Sequence, residues 1–139
     1  MAEAISLKPP IRYDVETPYI KFWTEDSVLC AAYANNIHVN LDIAKHIVEH
    51  RINYSKFTSH LCFVDMRGIR SVTKEARQYL SVEGSAYVIA GALLIDSVLN
   101  RTIGNIFLTV NKPAVPVRLF TSKEEAFKWL KLQLQTYRQ

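Results

Sequence analysis

The sequence predicts an α/β domain: a mixed, mainly parallel five-stranded sheet with four helices, in the order β-β-α-β-α-β-α-β-α. Three observations predict it. Short apolar runs alternate with longer stretches whose apolar residues recur every three or four positions. The first two runs are separated only by a turn, as in a hairpin. The later runs are separated by helical stretches, which implies crossover connections and parallel strands.

The elements follow in order. Residues 1–17 read as an irregular lead-in, because Pro9-Pro10 suits neither a helix nor a central strand. Residues 18–139 read as a single domain. Residues 19–23 and 28–33 are β-rich runs around a turn at Glu25-Asp26, with the first hairpin strand at a sheet edge. Asn35-Asn36 breaks the pattern. Asn40 is placed to cap a helix, with Asp42 near its positive end. Leu41, Ala44, Ile47, Val48 and Ile52 then form one apolar stripe ending near Lys56.

The run 61–64 is continuously apolar, as expected of a strand buried on both faces. Thr73 caps a second helix that carries Ala76, Tyr79 and Leu80 inward and stops near Gly84. A further strand lies within 86–95. The third helix, about 97–110, is unusual. Leu99, Ile103, Ile106, Phe107 and Val110 make one face, while Val98 and Leu108 add apolar groups elsewhere. Gly104 sits in its middle, at a cost of up to about 1 kcal/mol against alanine. Such a helix is either deeply packed or presents apolar surface to a partner. Residues 115–120 form the last strand, and Ser122 with Glu125 makes a capping box for a final amphipathic helix carrying Ala126, Phe127, Trp129 and Leu130 inward.

Composition narrows the function classes. Of 139 residues, 49% are hydrophobic and 22% charged, which argues against a disordered chain. Residues 1–70 carry eight basic and eight acidic side chains, whereas residues 71–139 carry nine and five, so the net charge of +4 lies in the second half. Arg101, Lys112 and Arg118 fall in a stretch without an acid between Asp96 and Glu124. That stretch suits phosphates or an acidic protein surface. It falls short of the basic stripe of a dedicated nucleic-acid binder. The longest apolar run, 86–95, is too short to cross a bilayer, and the N-terminus shows no signal peptide. The expected location is cytoplasmic.

Reactive motifs are sparse. Four glycines leave no Gly-rich phosphate loop, and no nucleophile elbow surrounds Ser81, Ser85 or Ser97. Cys30 and Cys62 are expected to be reduced core thiols. His60 and Cys62 share a strand face, which permits a Cys-His pair; the alternative is a buried structural thiol. His46 and His50 are four apart but lack supporting ligands, so they read as solvent-facing. Asp65 follows the buried strand without an acid-base partner. No catalytic residue, metal or cofactor is assigned.

Two surfaces remain as interaction candidates. One is the loop with Arg67, Ser71 and Thr73. The other is Arg101, Asn105, Phe107, Leu108, Asn111 and Lys112 on and after the third helix.

The element order, with Val64-Asp65-Met66-Arg67, Thr73-Lys74-Glu75-Ala76-Arg77, Leu94-Ile95-Asp96-Ser97, Ile103-Gly104-Asn105-Ile106-Phe107-Leu108, Asn111-Lys112-Pro113 and Ala126-Phe127-Lys128-Trp129-Leu130, resembles an uncharacterised bacterial family with a SpoIIAA-like, STAS-related fold. The resemblance spans about residues 18–131. It implies a (βα)n superhelix and relatives of two kinds: anti-sigma-factor antagonists, which bind a kinase partner, and lipid-carrying domains. In the antagonists a phosphorylatable serine follows an aspartate at a helix start. Here those positions fall near Thr73 and Lys74, so the serine is missing, and Thr73 or Ser71 is the hydroxyl that would replace it.

The expected function is a non-enzymatic, regulatory protein-interaction module with a protein partner or a second copy of itself. The alternative is a carrier or sensor for a lipid or small apolar ligand held between the third helix and the sheet. That alternative needs a cavity of about 300 Å³ or more.

Overall fold

The computed structural model describes residues 12–139. The expected lead-in lies outside the described residues up to residue 11, and Pro9-Pro10 with it. Its remainder contains a short strand, β1 (Val15–Glu16), antiparallel to β2 (Ile20–Glu25). β2 and β3 (Val28–Tyr33) form the expected hairpin. Asp26 and Ser27, at φ 52° and 64°, make its two-residue turn, whose left-handed residues match the twist of the strands.

The chain continues through β4 (Ile37–Val39), α1 (Leu41–Tyr54), β5 (His60–Asp65), β6 (Ile69–Val72) and α2 (Lys74–Val82). A 3₁₀ turn (Glu83–Ser85), β7 (Val88–Leu94) and α3 (Val98–Ile106) come next. A π-helical turn (Phe107–Asn111), β8 (Val117–Phe120) and α4 (Lys123–Tyr137) complete it. Asn40, Thr73, Ser97 and Ser122 cap the four helices, each accepting from a backbone N–H three residues on.

The main sheet has six strands in the order β1-β2-β3-β5-β7-β8. β3, β5, β7 and β8 are parallel, and the β1–β2–β3 end is antiparallel. This is the expected α/β architecture with more strands than the sequence reading has. β1 is two residues long and exists by pairing with β2. β4 and β6 pair with each other in a separate two-stranded parallel ribbon. They are brief and interrupted by polar residues, so neither shows as an apolar run.

The strand order advances in one direction, and right-handed crossovers that advance so place their helices on one face. α1, α2, α3 and the small ribbon indeed share the face of Phe22, Ala31, Cys62 and Leu93. α4 alone covers the other. There Ala126, Phe127 and Leu130 pack on Trp23, Cys30, Phe63 and Ala92, with the rings of Phe63 and Phe127 5.3 Å apart. Phe22 and Phe63 are fully buried on opposite sides of the sheet, each contributing about 1.5–3 kcal/mol. Gly68, before β6, lies so near the Ala34 carbonyl that a Cβ would come within 2.2 Å of its oxygen. No described helix is long and apolar enough to cross a membrane.

Candidate functional site

The loop expected to carry Arg67, Ser71 and Thr73 is largely β6. Arg67 is exposed, and its guanidinium donates to both oxygens of Asp65, at 2.9 and 2.8 Å. The Arg67 backbone N–H adds a third bond at 3.1 Å. Those hydrogen bonds raise the Arg67 pKa and leave Asp65 committed to its neighbour. Ser71 is exposed with its hydroxyl 2.6 Å from His38 Nδ1. Thr73 is exposed and accepts from the Ala76 N–H at 3.2 Å, so its side chain holds the start of α2.

The second surface divides in two. Arg101 and Asn105 are exposed on α3, and Lys112 is exposed after the π turn. Asn111 is half-buried and accepts from Arg77 Nε at 3.2 Å. Phe107 and Leu108 are half-buried, and Phe107 faces inward onto a cavity. The outward apolar side chains are instead Val98, Leu99 and Val110, 83%, 42% and 68% exposed. The sequence reading puts Leu99 and Val110 on one face with Ile103, Ile106 and Phe107; the structure exposes the first two and leaves the other three half-buried. Val110 departs from a uniform helical wheel drawn over 97–110 because the chain switches to wider π winding after Ile106, whereas Leu99 lies exposed in the first turn of α3. Asn100, expected as nothing in particular, is fully buried; its amide donates to the Ile69 carbonyl at 3.2 Å and ties α3 to β6.

The cavity lies between the sheet and α1, α2 and α3, with a volume of about 140 Å³. Phe22, Val64, Leu80, Ile103 and Phe107 contribute to its apolar wall, and its polar lining includes Arg51, Arg77, Tyr33 and Cys62. No aspartate or glutamate lines it among the described residues. It is in the place expected for the ligand-holding alternative but well below the volume a lipid or other large ligand needs.

Arg51 is 5% exposed. Its Nη1 donates to His60 Nε2 at 2.9 Å and its Nη2 to the Gly84 carbonyl at 3.0 Å. His60 Nδ1 lies 2.9 Å from the Thr58 carbonyl, which fixes the neutral tautomer with Nδ1–H donating and Nε2 accepting. Burial lowers the pKa of both Arg51 and His60. Burial also pushes the Cys62 thiol up to about 11 and raises the Tyr33 phenol. Both His60 nitrogens are therefore engaged, and neither is left to take a proton from Cys62. Cys62 is a buried, protonated thiol. Cys30, on the opposite face, is pushed up to about 12 by its own burial.

His46 and His50 are half-buried rather than solvent-facing. Their rings stack at 3.9 Å, and His46 meets the Tyr19 ring edge-on at 5.0 Å. A shallower polar cleft of about 310 Å³ at the ends of β7 and β8 is lined by Arg101, Arg118 and Glu125 among others.

Arg51 is the residue that sequence reasoning missed. It extends the spacing of Ala44, Ile47 and Val48, so a cation on the apolar stripe was visible as the signal.

The elements and their order define a SpoIIAA-like fold. A crystal structure of an uncharacterised DUF3478-family protein from Shewanella loihica PV-4, described as having that fold, aligns with 84% of this chain and 98% of that one. The TM-score is 0.56 at 12% identity, a likeness of fold alone. A family model described as a domain of unknown function, DUF7793, matches residues 22–133, and the chain belongs to that family. No curated protein matches the sequence.

Proposed function

We propose that this chain is a non-enzymatic, regulatory interaction module of the STAS kind, acting in the cytoplasm and docking an acidic protein surface on α3 and the π turn. The observation that carries this reading is the exposure of three large apolar side chains, Val98, Leu99 and Val110, on the same α3–π segment that exposes the cations Arg101 and Lys112. Exposed large apolar side chains interspersed with polar and basic groups are the composition of a contact surface. No acid occurs between Asp96 and Glu124 to repel a negatively charged partner. The SpoIIAA-like fold supports the same class, since the anti-sigma-factor antagonists it resembles act by binding. The exposed hydroxyls of Ser71 and Thr73 are the modification sites this reading offers.

The test is affinity capture from the native host with Val98→Glu and Val110→Glu beside the unaltered chain. A glutamate at either exposed site leaves the fold intact, and retained partner should fall by about tenfold or more. High salt should weaken capture as well. Sedimentation of the purified chain separates a second copy from a different partner. Retention of every partner by both variants would overturn the reading.

A further inference from the structure

We propose that the cavity beneath α1, α2 and α3 binds a small carboxylate with a compact apolar tail, and that the Arg51 guanidinium receives the carboxylate. This goes beyond the interaction reading and does not depend on it.

A guanidinium has five N–H donors. Arg51 spends one on His60 and one on Gly84, leaving three without a protein partner among the described residues. Neither partner carries negative charge, and no described carboxylate forms an ion pair with Arg51. Its electrostatic neighbours, Cys62 and Tyr33, are held neutral by burial. A buried charge is ordinarily paired, because an uncompensated one is strongly destabilising. The three remaining N–H groups lie in the plane of the guanidinium, the group that pairs with carboxylates, and Arg51 lines the cavity.

The rest of the wall selects the tail. Phe22, Val64, Ile103 and Phe107 present carbon. A volume of about 140 Å³ is close to that of an engineered apolar cavity of about 150 Å³ that takes benzene, so a tail of about five or six carbons fits. A second guanidinium, Arg77, also lines the space and is held by the Val72 carbonyl and Asn111. Two cations and no acid exclude an amine ligand. The π turn that delivers Phe107 to the wall is the kind of helix irregularity that recurs at ligand sites.

The experiment titrates the full chain at neutral pH and constant ionic strength with hexanoate and benzoate. 1-Hexanol supplies the tail without the charge, and acetate the charge without the tail. Binding is followed by amide and arginine Nε–H chemical shifts and by Tm. Hexanoate or benzoate should saturate, with 1-hexanol and acetate each weaker by about tenfold or more. The Arg51 Nε–H signal should move with the acids and not with the alcohol. Arg51→Met should erase the preference for acid over alcohol, and Arg51→Lys should keep part of it. Should Arg51→Met fail to fold, the wild-type Nε–H shift still decides. Equal affinity for hexanoate and 1-hexanol, or acid-induced shifts confined to surface lysines, would overturn the proposal. So would no saturation by either acid. Val98→Glu should leave acid binding unchanged and Arg51→Met should leave partner capture unchanged, so the two proposals fail separately.

Discussion

The two faces of the sheet are built from the same strands and differ in what covers them. On one, α4 lies alone across Trp23, Phe63 and Ala92 and fills the space with Phe127 and Leu130. On the other, three crossover helices and a two-stranded ribbon converge, and their meeting leaves a cavity with a buried arginine at its wall. One helix can settle its single apolar stripe against a flat surface until no gap remains. Three helices held by chain connections cannot all do so at once. The closed face serves stability, and the open face has room for a ligand.

The largest test of that contrast is truncation on each side. Phe63→Ala removes a fully buried ring from the α4 face and should cost about 3–5 kcal/mol. Leu80→Ala, on the cavity wall and half-buried already, should cost less than half as much, about 1–2 kcal/mol. Urea unfolding of both variants measures it. Equal losses would mean that the two faces are equally well packed.

The closed face was legible in the sequence because its contacts are periodic. The capping residue Ser122 and the stripe Ala126, Phe127, Leu130 specify α4 completely, and alternation along β5 sends Leu61 and Phe63 to it. The open face was legible only in outline. The helices α1 and α2 followed from Asn40 and Thr73. β4 and β6 did not, since residues such as His38 and Ser71 interrupt them and their pairing is nonlocal. The outward turn of Val110 depends on the π winding, which no local residue announces. Arg51 stood on the stripe, but a charge there gains meaning only once His60 and Gly84 are seen beside it.

A smaller effect is expected at Gly104, where α3 meets β8. A Cβ there would lie 2.7 Å from Leu119 Cδ2, a side chain on the helix-rich face. Gly104→Ala gains up to about 1 kcal/mol of helix propensity. The overpacking costs about 1–3 kcal/mol, so a net loss of about 1 kcal/mol should appear in the urea midpoint. A net gain would show that Leu119 yields freely to the added methyl, and that this face is looser than its contacts suggest.

The mildest effect is on pH dependence, and it too belongs to the open side. Burial lowers the pKa of His60, beside Arg51, and of His46, on α1. The unfolded chain therefore takes up protons first as the pH falls through about 6.5. The stability that rests on neutral imidazoles is complete above that pH and is lost below it, down through the lowered folded values. The slope cannot exceed about 1.4 kcal/mol per pH unit for each histidine. Replacing His60 by glutamine, whose side-chain oxygen can still accept from Arg51, should flatten the His60 share of that slope while leaving stability at neutral pH nearly unchanged. Urea midpoints from pH about 7.5 to about 5.5 would show it. An unaltered slope in His60→Gln would place the acid sensitivity elsewhere. The thiol on the closed face cannot supply it, because Cys30 is pushed up to about 12 and stays protonated throughout that range.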